Sequence, residues 1–230
     1  MPGFYYYDWT LILLVPAIIL TIYAQAKVTS TYKKYDKVKA RSGMSAADMV
    51  RRMLDYNGLS NVQIRQVKGN LTDHYDPRNK TLSLSEATYS SPSVAALGVA
   101  AHEAGHAMQD AESYGPLKFR NALAPVAQFG SSAAWILIIM GFLFSAFNLI
   151  GIGIICFSAV VLFQLVTLPV EFNASNRALA ALEGGGFLET DEVGLTNKVL
   201  RAAALTYVAA ALVSVLQLLR LLLIFAGRRN

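Results

Sequence analysis

Three stretches of this chain are too long and too apolar to belong to a soluble core: Trp9 to Ala26, Asn121 to Val170 and Ala202 to Ala226. A run of about 20 apolar residues crosses the hydrocarbon of a bilayer as a helix, and only a helix satisfies its own backbone there. The 54% hydrophobic and 15% charged composition agrees, and excludes an ordinary soluble domain. The middle stretch is long enough for two spans. Gly151 and Gly153, just after Asn148, offer a turn, which predicts helices near Ser131 to Phe147 and Ile152 to Val170 joined as a hairpin. Four spans result. Arg220 interrupts the last of them, at a depth from which an arginine can snorkel to the headgroups.

The cations set the orientation. Fourteen of the 20 Lys and Arg lie between Lys27 and Arg120 and three more between Arg177 and Arg201. The positive-inside tendency then turns both charged segments to the cytoplasm, so a multi-pass protein of the cell membrane is expected, with both termini outside. A cleaved signal peptide ending at Ala24-Gln25-Ala26 is the rival reading, but no Lys or Arg precedes its apolar core and Asp8 does. The single cysteine, Cys156, falls inside a span and excludes an intrachain disulfide. The net charge of +5 is explained by topology, and no nucleic-acid motif accompanies it.

The expected organisation is an N-terminal transmembrane helix (1–26), a soluble part (27–128), a transmembrane hairpin (129–170), a second soluble part (171–201) and a C-terminal helix with its tail (202–230). Within the first soluble part, the cations of Lys27 to Arg41 lie on a helix leaving the membrane, where they can meet anionic headgroups. Ser45 can cap a helix over Ala46 to Tyr56 that Gly58 ends. Alternation and β-branched residues around Asp76-Pro77-Arg78-Asn79 predict strands over Val62 to Val67, Leu71 to Tyr75 and Thr81 to Leu84. Ser91 then caps a helix starting at Pro92 and running past His106.

That helix carries "AAHEAGHAMQ". His102 and His106, four residues apart, point the same way from successive turns, about 40° and 6 Å apart. Two imidazoles so placed can grip one zinc ion, and Glu103, about 100° round from His102, lies beside the metal as a general base for water attack on a carbonyl. Val99, Ala100, Ala101, Ala104, Gly105, Ala107 and Met108 are uncharged, so the histidines emerge from a helix packed on nearly every other side. A catalytic zinc takes three protein ligands and keeps one position open. The third has two sources: Glu171, the first charged residue after Arg120 and followed by a small-residue face of Ala174, Ser175 and Ala178, or His74 in "DHYDP". Glu171 is the favoured one.

The segments "LTDHYDP", "LSLSEATY", "AAHEAGHAMQ", "LPVEFNASNRAL" and "AAALTYVAAAL" resemble the YugP-like family of neutral zinc metallopeptidases over nearly the whole chain. More distantly, the layout is similar to the HtpX-like and CAAX-prenyl endopeptidases, with two spans between the two metal-binding helices. The resemblance implies one zinc per chain on His102, His106 and Glu171, with Glu103 as base. Ser175 stands where those peptidases have Asp, so the carboxylate that usually supports a zinc-bound histidine is missing, and Ser175 itself, Asn173, Asn176 or Asp76 is left for that role. His74 and Tyr75 would then border the cleft, where an extended peptide adds as a strand and either side chain can donate to an oxyanion.

The expected fold is therefore a mainly α integral membrane protein. It has about four transmembrane helices and a small α+β zincin-like metallopeptidase domain carrying the H-E-x-x-H helix. The expected activity is that of a gluzincin-like zinc endopeptidase acting on protein or peptide substrates from the lipid bilayer. The competing class is a non-catalytic membrane scaffold or chaperone-like partner with a structural zinc, against which an unliganded Glu103 beside the metal argues. Oligomeric state is left open.

Overall fold

Four of the helices in the computed structural model, which describes residues 9–227, are long and apolar enough to cross a membrane: Trp9–Tyr35, Gly115–Leu143, Phe147–Gly184 and Thr190–Gly227. Residues 1–8 of the expected N-terminal span, Asp8 among them, and residues 228–230 of the tail lie outside the described residues. A 3-10 stretch, Trp9–Leu14, passes into α1 (Val15–Tyr35) at Pro16, where a missing N–H costs nothing.

The soluble part follows. In α2 (Ala46–Tyr56) the Ser45 hydroxyl accepts from the Asp48 amide, and Gly58 ends the helix at φ +73. Its apolar face, Met49, Val50, Met53 and Leu54, is fully buried with Leu82, Leu84 and Leu97 in one core. Strands β1 (Gln63–Val67), β2 (His74–Asp76) and β3 (Thr81–Ser85) form a sheet in the order β1-β3-β2, parallel for β1 with β3 and antiparallel for β2 with β3. All five residues of β3 are buried. The second strand starts at His74 and not at the expected Leu71, because Gly69 and Leu71 adopt positive φ (+106 and +56) and the Asp73 carboxylate accepts from the Ser85 amide.

A one-turn helix, α3 (Glu86–Tyr89), leads to α4 (Val94–Ala111). The cap of α4 is Ser93, whose hydroxyl accepts from the Ala96 amide, and not the expected Ser91. The backbone at 91–93 is taken up by pairing with 38–46: Pro92 O accepts from Ala40, Ser91 O from Ala46, and Lys39 bridges Ser93. Most of α4 is buried, since α2 covers one side and α6 (Phe147–Gly184) and α7 (Thr190–Gly227) the others.

The hairpin of α5 (Gly115–Leu143) and α6 turns at Phe144–Ala146, with Ser145 at φ +53, and Gly151 and Gly153 lie inside α6. Gly153 permits close contact instead of turning: a Cβ there would sit 2.6 Å from Ile138 Cγ1 and 3.0 Å from the Ala134 carbonyl. Small residues at such crossings let backbones approach where hydrocarbon gives no hydrophobic drive. Pro169 lies inside α6, which runs through it unbroken. At 1.5 Å per residue its 38 residues reach ~57 Å, so α6 is longer than a bilayer's hydrocarbon core needs.

The C-terminal half of α6 lies against α4, and the backbones approach closely at Gly105. A Cβ on Gly105 would stand 2.4 Å from the Ala174 carbonyl oxygen. Gly105→Ala should therefore destabilise the protein by about 1–3 kcal/mol by overpacking, despite alanine's better helix propensity. Gly194→Ala, in open space on α7, should instead stabilise by up to ~1 kcal/mol. Thermal unfolding in detergent checks both signs.

Candidate metal centre

α4 presents His102 and His106 on one face, and α6 presents Glu171 at the point where it leaves its apolar run. The Gly105–Ala174 contact brings the two helices together there. Glu171 Oε2 lies 3.1 Å from His102 Nε2 and 3.6 Å from His106 Nε2, and the imidazoles meet edge to face at 4.8 Å between centroids. One donor atom from each residue lies within 4.8 Å of the others. Glu171 and His106 are 4% and 8% exposed.

Both histidines are held from behind. Gln109, wholly buried, donates both amide hydrogens, to the Val170 carbonyl and to Asn173 Oδ1, each at 2.9 Å. Its Oε1 then accepts from His106 Nδ1 at 3.0 Å, which leaves the Nε2 lone pair facing Glu171. Ser175 Oγ stands 3.1 Å from His102 Nδ1, at the position where the sequence lacks the familiar aspartate. Asn173 reaches His106 only through Gln109, Asn176 is exposed, and Asp76 accepts from Arg78 and Asn79 in its own turn. Arg120 on α5 donates to Glu171 Oε1 at 2.9 Å and so fixes which carboxylate oxygen faces the histidines.

The donor set suits a borderline cation such as zinc: two imidazole nitrogens and one carboxylate oxygen, with both imidazoles oriented by outer partners. The local field agrees. Burial opposes charge on His106, yet contact with Glu171, the nearby Glu103 charge and the Gln109 bond outweigh it and raise its pKa. Positive charge is favoured at this spot, whether a proton or a metal supplies it.

Two cavities flank the cluster. One of about 350 Å3 is lined by His102, Glu103, Glu171 and Ser175 and is walled by Val28 of α1 and Tyr207 of α7. The other, about 190 Å3, brings His74 and Tyr75 to Glu103, His106 and Arg120. Asp73, Glu103, Glu171 and Tyr207 line both. Glu103 faces them with no hydrogen bond or ion pair among the described residues. His74 Nδ1 donates to the Thr72 carbonyl, and the Tyr75 hydroxyl to Asp110 Oδ2, where burial and that carboxylate push its pKa up. Asp73, His74 and Asp76 thus find separate partners and do not satisfy one another.

Gln109, Arg120 and Tyr207 were not singled out by sequence reasoning. Gln109 lies three residues after His106, a spacing that keeps it on the histidine's face. Arg120 and Tyr207 carry no such local signal.

The chain matches a family model described as "Putative neutral zinc metallopeptidase" over residues 10–226. It is 51% identical over 218 residues to the "Putative membrane protease YugP" of Bacillus subtilis (strain 168), covering 95% of this chain and 97% of that relative. No solved structure matches it. Zinc is the metal this family implies, and His102, His106 and Glu171 form a set able to hold it. On a match spanning nearly its whole length, the chain belongs to the family described as "Putative neutral zinc metallopeptidase".

Proposed function

We propose that the protein is a zinc endopeptidase of the cell membrane that cuts extended segments of protein or peptide substrates at a cytoplasmic, juxtamembrane site. The observation that carries this reading is the convergence of His102, His106 and Glu171 beside an unpaired Glu103 at the wall shared by two cavities. The three residues would hold one zinc per chain, with Gln109 and Ser175 orienting the imidazoles and Arg120 the carboxylate. Two ligands from one helix and a glutamate from a later one make the site gluzincin-like, and the sheet with α4 is the zincin-like part.

When bound, zinc supplies a Lewis acid that acidifies water and polarises a carbonyl. Glu103 takes the proton from the attacking water and passes it to the leaving amine. Tyr207 lines both cavities and is a phenol donor for the developing oxyanion. On β2, His74 remains a candidate for the same task, since the Tyr75 hydroxyl is engaged by Asp110. β2 is an edge strand, so an extended substrate can pair with it. The cytoplasmic orientation rests on the cations of 27–120 and 177–201. A scaffold with structural zinc is the competing reading, and Glu103 has no task in it.

Glu103→Gln keeps size and polarity but removes the base. Metal content and unfolding should stay at wild-type values while cleavage of an unfolded reporter falls roughly 10² to 10⁴-fold. Unchanged cleavage would remove Glu103 from the role of base, and no cleavage by either form would favour the scaffold. Metal analysis tests the ligand set separately: His102→Ala, His106→Ala and Glu171→Ala should each lose tightly held zinc, and His74→Ala should keep it. Topology is open to thiol labelling in a Cys156→Ala background. A cysteine at Ser145 should react with an impermeant reagent in intact cells, whereas cysteines within 27–41 or at Gly186 should not.

A further inference from the structure

Five cations among the described residues pair with carboxylates. Arg41 pairs with Glu189 and Asp191, Arg51 with Asp55, Lys80 with Asp110, Arg120 with Glu171 and Arg177 with Glu112. Four others converge with no carboxylate among them. α1 and α7 lie side by side, and between them runs a groove of about 490 Å3 lined by Lys27 and Lys34 from α1 and by Lys198 and Arg201 from α7. Lys27 and Lys34 are two turns apart on one helix face, and Lys198 and Arg201 are neighbours at i and i+3. No acidic residue lines the groove, and among the described residues none of the four forms an ion pair. Tyr23 and Thr31 add hydroxyl groups.

The depth of the groove is written in the sequence. Lys27 is the first charged residue after the apolar run of α1, and Arg201 is the last before the apolar run of α7. Both boundaries meet here, so the cations sit where a bilayer's phosphates lie. Like charges gathered in one groove repel unless an anion neutralises them, and a phosphate has the charge and the acceptor oxygens to bridge ammonium, guanidinium and hydroxyl donors.

We propose that this groove binds a phosphate-bearing anion, the headgroup of an anionic phospholipid, which bridges α1 to α7. Soluble phosphate offers the same chemistry without the acyl chains, and the position at the end of two apolar runs favours the lipid. Basic pockets between membrane helices hold acidic headgroups in this way. The same two helices also wall the larger cavity beside Glu103, so the bridged pair lies next to the candidate metal centre without contributing a cation to it.

Native mass spectrometry of the purified full-length protein in mild detergent tests this, with phosphatidylglycerol, phosphatidylcholine and inorganic phosphate titrated separately. Wild type should retain phosphatidylglycerol in preference to phosphatidylcholine. Lys198→Gln with Arg201→Gln should weaken that retention by roughly 25-fold, about fivefold for each cation. Lys33→Gln with Lys37→Gln, which removes the same charge outside the groove, should leave it unchanged, and the charge-preserving swap Lys198→Arg with Arg201→Lys should keep it. Zinc content and thermal unfolding verify that each variant is folded. Equal losses in the two Gln pairs would reduce the site to diffuse attraction and overturn the proposal, as would equal retention of phosphatidylcholine. Inorganic phosphate binding as tightly as phosphatidylglycerol would overturn the lipid assignment in favour of a soluble anion.

Discussion

A hydrogen atom in place of a side chain at position 105 lets the helix bearing His102 and His106 touch the backbone of the helix bearing Glu171. Glu171 lies 65 residues beyond His106 along the chain, past two apolar stretches long enough to span a membrane, so no local interaction brings it to the histidines. The approach of α4 to Ala174 does. Ala101, Ala104, Ala174 and Ala178 continue the same small surface, all of them fully buried. Small residues here serve geometry more than burial, because each contributes little apolar area but permits a short interaxial distance.

Close approach has an electrostatic consequence. Two imidazoles and a carboxylate are enclosed at the end of a long apolar run, where unpaired polar groups are costly. The fold compensates with a chain of partners: Val170 and Asn173 for Gln109, Gln109 for His106, Ser175 for His102, Arg120 for Glu171. What is left over is a set of three inward-facing acceptors and one uncommitted carboxylate, Glu103. A site whose structural needs are met by outer partners leaves its inner atoms available for a cation and for proton transfer.

The four spans were legible because hydrophobic length is a global property of a segment, and the α2 cap because Ser45 and Asp48 act locally. Reading failed where one residue type serves two purposes. Gly151 and Gly153 signal a turn by composition, yet the turn falls on Ser145 and Gly153 is used for helix contact. Pro169 signals a break, but a helix flanked by others tolerates a missing N–H. Ser91 and Ser93 are both competent caps, and pairing of 91–93 with the distant 38–46 backbone decides between them. At the site, His102, Glu103 and His106 are visible in five consecutive residues, and Glu171 by its isolation after a long uncharged run. Arg120 and Tyr207 reach the same cavity from α5 and α7, and only the packing of those helices brings them there.

In the proposed site two imidazoles and one carboxylate would hold one zinc, with a remaining position open to water. X-ray absorption at the zinc edge of the purified protein tests it directly. The expected spectrum is that of two imidazole nitrogens at about 2.0–2.1 Å and two oxygens at about 2.0–2.2 Å. A third imidazole, which would have to come from His74, or a sulfur near 2.3 Å from Cys156, would contradict it.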